Sequence, residues 1–272
     1  MSDKKKTAPT AATAETEEKI DIESTVIIPD DGEKIKRPLK VLVACEESQR
    51  VCAAFRELGH EAYSCDIQEP SGGHPEWHLK ADVLRYINPV SEIGGILPFL
   101  TMDGETHFIR GKWDLIIAHP PCTHLSNAGA RHLYKGHKLN EERYAKGIKA
   151  KEFFMEFFNA DCEHIAVENP IPSKVYELPK YTQIIQPYEH GHPYTKRTCL
   201  WLKGLPKLQP TNIVEPIGTY CPSGSYSHKH DQKHKGVFTK DRAKNRSKTF
   251  EGIAKAMAEQ WSKYLCELPE ND

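Results

Sequence analysis

Five short apolar runs constrain the fold of this chain more than any other feature. They are Leu39–Ala44, Ala62–Cys65, Trp113–Ala118, His164–Val167 and Thr198–Leu202. Runs of four to six mostly apolar residues, bounded by polar or turn residues, read as strands buried on both faces. Segments of helical period lie between and after them. Gln49–Leu58 puts Val51, Ala54, Phe55 and Leu58 on one stripe and stops at Gly59. Glu141–Asn159 carries Ile148, Phe153, Phe154, Phe157 and Phe158, and Phe250–Tyr264 is a last amphipathic helix. Gln68–Trp77, with Pro70, Gly72, Gly73 and Pro75, reads as a loop, and Val83–Ile87 as a short helix or turn after Asp82. Strands that alternate with helices predict an α/β fold with a doubly wound, mostly parallel, Rossmann-like sheet.

The chain divides by composition. Residues 1–37 are rich in Lys, Glu, Asp, Thr and Ala without apolar periodicity. Such a segment buries too little apolar surface to offset its ordering entropy, and a disordered tail is expected. Residues 38–202 form the expected core, 203–248 a short basic insertion, and 249–272 a helix that returns to the core. No apolar run approaches the roughly 20 residues that span a bilayer. Lys4, Lys5 and Lys6 are followed by no apolar stretch, so a secretory signal is not expected. The eight cysteines include no Cys-x-x-Cys pair, which fits a reducing, cytoplasmic compartment.

The net charge of −1 excludes nothing, but the distribution is uneven. Between Cys221 and Phe250 there are eight Lys or Arg against two Asp, an excess of six, with three histidines besides. This reads either as a phosphate-facing surface or as a solvated loop. Cys221, His228, His230 and His234 also invite a zinc reading, but their spacing is irregular. No metal is expected.

Polar residues that follow the apolar runs carry the chemistry, because ligands of open α/β sheets sit beyond the carboxyl ends of the strands. Glu46, Asp66, Asp82, Cys122 and Glu168 all stand there. In His119-Pro-Pro-Cys122 two prolines fix φ and remove amide donors, so the chain leaves its strand in a stiff direction and holds a cysteine out at the sheet edge. Such a cysteine is a candidate nucleophile, although most single cysteines are inert buried thiols. Val167-Glu168-Asn169-Pro170 follows the next strand. A thiol that attacks an aromatic ring needs a proton donor to activate it, and Glu168 is a candidate.

Pro120-Pro121-Cys122 followed 46 residues later by Glu168-Asn169-Pro170 resembles the Pro-Pro-Cys and Glu-Asn-Val motifs of the C5 cytosine-specific DNA methyltransferases. The resemblance runs from about Lys40 to Tyr264 and is to compact members carried by phages and prophages. It implies a Rossmann-like methyltransferase fold with a short target-recognition region at 203–248. It also implies methyl transfer from S-adenosylmethionine to C5 of cytosine in double-stranded DNA. Cys122 would add to C6 and Glu168 would bond N3. The base would flip out of the duplex, with Asn169 and the loop Thr123–Arg131 closing around it. Asp66 would hold the ribose hydroxyls, Ile67 would lie on the adenine, and Asp82 would sit near its amino group. Cys45, Glu46 and Pro120 would complete the cofactor site. The implied state is a monomer in the cytoplasm of a bacterium or a phage-infected cell, without a membrane partner.

Two segments depart from the family. The glycine-rich turn after the first strand is replaced by Ala44-Cys-Glu-Glu-Ser-Gln49, without glycine. The Gln-x-Arg-x-Arg segment becomes Tyr194-Thr-Lys196-Arg197-Thr198, which leaves open whether Lys196 or Arg197 supplies the cation. Asp66 and Asp82 also have plain readings as turn formers or helix caps. The rival functions are an N-methyltransferase, a C5 enzyme acting on RNA or a free nucleotide, and an inactive DNA-binding module.

Overall fold

The computed structural model describes residues 37–88, 95–130, 132–220 and 242–268; the side chains of Lys135 and of residues 242–244 are excepted. The expected tail up to residue 36, and the Cys221, His228, His230 and His234 group, lie outside the described residues. So does most of the basic segment.

In chain order the elements are β1 (Lys40–Ala44), α1 (Arg50–Glu57), β2 (Glu61–Asp66), β3 (His78–Lys80), β4 (Ile96–Leu100), β5 (Thr106–Arg110), β6 (Leu115–Ala118), α2 (Asn127–Ala130), β7 (Tyr134–Lys135), β8 (Lys138–Leu139), α3 (Glu141–Phe158), β9 (Ile165–Pro170), β10 (Gln183–Ile185), β11 (Thr198–Lys203), α4 (Arg242–Ser247) and α5 (Glu251–Glu267). Seven strands form one sheet in the order β10-β11-β9-β6-β1-β2-β3. Five of them, β3, β2, β1, β6 and β9, run parallel. β11 is antiparallel to β9, and β10 is antiparallel to β11. Counted within this sheet the order is 3-2-1-4-5-7-6. It is the doubly wound, Rossmann-like sheet expected from the alternation of runs, with one reversed strand set between the fifth and sixth.

The near-continuous apolar runs are explained by burial on both faces. Successive side chains of a strand point to opposite sides. Val41, Val43, Leu115, Ile117, Ala166 and Leu200 meet α1 through Val51 and Phe55, and α5 through Met257 and Trp261. Leu42, Ala44, Ile116, Ala118, Ile165, Val167 and Trp201 meet Phe154 and Phe157 of α3. Asn140 caps α3 by accepting from the Arg143 amide at 3.2 Å, with Glu141 and Glu142 in the first turn.

The elements that the runs did not announce are small. β3 and β10 have three residues each, too few to show a period, and both join the sheet only by pairing with a neighbour. The hairpins β4–β5 and β7–β8 lie outside the main sheet. Among the described residues no helix is long and apolar enough to cross a membrane.

Phe154 is fully buried and meets Trp201 edge-on, with ring centroids 5.0 Å apart. Phe154→Ala should cost about 3–5 kcal/mol in urea denaturation. Phe158→Ala, at a half-buried position of the same helix, should cost less than half of that.

Candidate active site

The site lies where the carboxyl ends of β6 and β9 meet the amino end of the antiparallel β11: β6 leads into His119-Pro-Pro-Cys122, β9 carries Glu168, and Lys196 stands just before β11. His119 Nδ1 and Glu168 Oε2 are 2.7 Å apart, and these side chains are only 10% and 14% exposed. Burial opposes a charge on His119, but the hydrogen bond and charge of Glu168, with Glu46 nearby, outweigh it and raise the imidazole pKa. Burial likewise pushes Glu168 up, but His119 and then Lys196 outweigh it and lower the carboxyl. Both shifts describe an imidazolium–carboxylate pair.

Cys122 is half-buried directly after the prolines. Burial and the charge of Glu168 raise its thiol pKa; Lys196 and Arg246 act in the opposite direction. Strand alternation settles which cation faces inward. Lys196 and Thr198 line a small cavity with Glu168, Thr249, Phe250 and Ile253, whereas Arg197 is exposed. Lys196 Nζ donates to the Arg246 carbonyl at 3.0 Å and lies 5.7 Å from the Phe250 ring centroid. Arg246, the described end of the basic segment, thus reaches the site.

Asn169 takes the opposite face from Glu168, since the two are consecutive residues of β9. It is 1% exposed, and neither its Oδ1 nor its Nδ2 has a hydrogen-bond partner. The loop after Cys122 is laced to the segment after β9: Asn127 N donates to Ile171 O at 2.8 Å, and Ser173 N to Leu125 O at 2.7 Å. Beside that loop opens a cleft of about 500 Å³, lined among others by His124, His132, Tyr134, Arg143 and Lys146. Arg143 ties the loop down by donating to the carbonyls of Thr123 and Gly129.

The second group of candidates surrounds the end of β1. Cys45 takes φ 58° and Gln49 also φ 58°, so two side-chain-bearing residues adopt the left-handed conformation that glycine supplies more cheaply. Local bonds hold them there. The amides of Cys45 and Glu46 both donate to Cys65 O, at 2.7 and 3.3 Å. The Gln49 side chain donates to His74 O at 2.7 Å and accepts from His74 N at 3.1 Å. The glycine missing from the turn stands in the loop facing it: a Cβ on Gly72 would lie 2.6 Å from Gln49 Cβ and 2.8 Å from Ser48 O.

Glu46 turns inward, and its carboxylate accepts from the amides of Val51 and Cys52 at 2.7 and 3.1 Å. It occupies with its own charge the anion site that the start of α1 offers. Burial raises its pKa despite His119 and those amides. Asp66 is half-buried and bonds the Gln68 amide at 2.9 Å; Asp82 caps the following turn by accepting from Leu84 N at 3.1 Å. Both carboxylates act on Cys45, whose thiol is pushed up by burial first and then by Asp66, Cys65 and Asp82. Ile67 is 75% exposed next to them. An exposed apolar side chain beside two carboxylates could hold a ligand with a flat ring and hydroxyl or amino donors. Pro120 is buried at the end of β6.

Sequence reasoning picked out Cys122 and Glu168 and left the cation open between Lys196 and Arg197; the structure brings Lys196 to Glu168 and Cys122 and leaves Arg197 exposed. It did not single out His119 as a partner of Glu168, nor Arg246. The signal for His119 was present, because a polar residue directly after a buried run and before Pro-Pro must lie at the strand end.

No family model and no curated protein matches the chain. Solved structures resemble it at a low level, two of them methyltransferases by description. One is the Entamoeba histolytica methyltransferase EhMeth, at 13% identity over 69% of this chain and 59% of that one, with a TM-score of 0.37. The other is an E. coli prophage-encoded protein assigned as a DNA modification methyltransferase, at 13% identity over 66% of this chain and 53% of that one, with a TM-score of 0.35. The chain therefore spans less than two thirds of either protein's own length.

The charge pair gives the fold a pH dependence. The folded pKa of His119 lies above its ordinary 6.5, so its contribution is complete below that value and is lost as pH rises through the folded pKa. That of Glu168 lies below its ordinary 4.5, so its contribution is complete above that value and is lost as pH falls through the folded pKa. Glu168→Gln should cost about 1–3 kcal/mol. By chemical denaturation the loss should be largest between pH 4.5 and 6.5 and smaller at high pH.

Proposed function

We propose that this protein transfers a methyl group to C5 of cytosine in double-stranded DNA, through a covalent bond between Cys122 Sγ and C6 of the ring. The observation that carries the reading is the convergence of a half-buried thiol, a buried carboxylate and an inward-facing ammonium at neighbouring strand ends. A thiol adds to C6 of cytosine only when N3 is protonated or strongly hydrogen-bonded, and Glu168 would serve that role. Lys196 offsets negative charge on Glu168 and Cys122. An N-methyltransferase would leave both Cys122 and Glu168 without a task.

S-adenosylmethionine, when bound, supplies an electrophilic methyl group. Asp66, Ile67 and Asp82 would hold its nucleoside, with Cys45 and Pro120 at the inner wall. Glu46 serves that site indirectly, since its bonds to α1 fix the turn. The target base has to leave the stack, because its C6 edge is shielded in the duplex. The basic segment, of which Arg246 is the described end, and the cleft with Arg143 and Lys146 supply cations for the DNA backbone. The protein would act as a cytoplasmic monomer in a bacterium or a phage-infected cell.

Duplex DNA containing 5-fluorocytosine tests this directly. Its C5 fluorine blocks the final elimination, so protein with S-adenosylmethionine should form a denaturant-resistant adduct that maps to Cys122. Cys122→Ala should form none and should lose methyl transfer by at least about 10³-fold. Failure to trap any cytosine-containing duplex would overturn the reading, and a Cys122→Ser variant with full transfer would favour N-methylation.

A further inference from the structure

Glu168 poses a chemical difficulty for the reading above. Activation of cytosine asks it to give up a proton, yet its surroundings hold it as a carboxylate in the resting protein. The proton has to be kept elsewhere, within one transfer of the carboxyl. Among the described residues there is such a place. His119 Nδ1 is 2.7 Å from Glu168 Oε2, in a pocket where both side chains are almost wholly buried.

Resting on the C5 reading, we propose that His119 is a positioning residue that stores on Nδ1 the proton Glu168 delivers to N3 of the target cytosine. Three observations support this. The bond is a direct one between titratable groups, without a bridging residue. His119 Nε2 is buried with no hydrogen-bond partner, so no second bond locks the tautomer, and Nδ1 is free either to donate to Oε2 or to accept from it. The charges that face the ring are balanced to keep one proton there. Glu168 from β9 and Glu46 from the β1–α1 turn favour the imidazolium, and Lys196 before β11 opposes it. Glu46 keeps its place because α1 holds its carboxylate through two amides.

The proton is borrowed and returned. The thiol proton of Cys122 leaves to water, and a sulfur electron pair forms the S–C6 bond. The displaced ring electrons move toward N3, which takes a proton from the Glu168 carboxyl as His119 passes its own to that carboxyl; His119 ends neutral. C5 then takes the methyl group, with the sulfonium donor leaving as its neutral thioether, and N3 returns its proton to the pair. Loss of the C5 proton to water re-forms the C5–C6 double bond and expels sulfur as the thiolate, which takes a proton back from water. The net change is replacement of one ring hydrogen by methyl with release of one proton.

Single-turnover methylation of a cytosine-containing duplex, measured from pH 5.5 to 9.5, tests the proposal in the full-length protein. His119→Asn keeps a side-chain donor for Glu168 but stores no proton. One of the two apparent pKa values of the profile should fall by more than one unit. The rate near neutrality should fall about 10²-fold, the scale of a lost acid–base contribution. Unchanged apparent pKa values with a lower rate would overturn the proposal and leave His119 as a structural prop. The 5-fluorocytosine trap separates this failure from the other: wild-type protein that traps no duplex overturns the C5 reading and the proposal with it. Should His119→Asn not fold, NMR titration of the wild-type imidazole decides. A His119 midpoint above 6.5 supports the stored proton, and one below 6.5 overturns it.

Discussion

Burial of the central sheet on both faces is the constraint on which the rest of the structure depends. With α1 and α5 against one face and α3 against the other, β1, β6 and β9 have almost no tolerance for polar side chains along their length. A charge buried between the layers would lose its hydration, so polar chemistry is displaced to the strand ends. Glu46, Asp66, His119 and Glu168 stand where the apolar runs stop. The apolar requirement of the core thereby fixes the location of the site.

At those ends the polar groups are still largely shielded, and each is held by a specific partner. Glu46 is satisfied by the first amides of α1, and Glu168 by His119. The two arrangements differ in kind. Amides cannot give up their protons, so the Glu46 contact is fixed and organises the β1 turn. An imidazole can, so the Glu168 contact is able to change its protonation state without moving heavy atoms. One carboxylate holds the scaffold and the other is available for chemistry, although both follow the same sort of strand.

The turn after β1 shows how a missing signal can be replaced by another. Glycine in such a turn relieves backbone strain and permits close approach. Here Cys45 and Gln49 accept the left-handed conformation themselves, at a cost of order 1–3 kcal/mol each. Bonds to Cys65, Ser64 and His74 hold them in it, and the close approach is provided by Gly72 of the opposite loop. The glycine-less turn at residues 44–49 thus spreads over two segments the requirements that one glycine would meet.

The sequence alone determined five of the sheet's seven strands, the two-sided core and the strand ends at which Cys122, Glu168 and Asp66 lie. Each of these follows from a local run of apolar residues and the residue that ends it. The three-residue strands β3 and β10 were not legible, because they are strands only through their pairing. Tertiary structure alone decided that Lys196 rather than Arg197 faces Glu168, since the choice rests on the phase of β11 against β9. It also decided that His119 reaches Glu168 from 49 residues away and that Arg246 closes over Lys196. Hydrogen bonds and charge pairs depend on distances of a few ångströms between segments remote in sequence. Such distances exist only once the layers have packed.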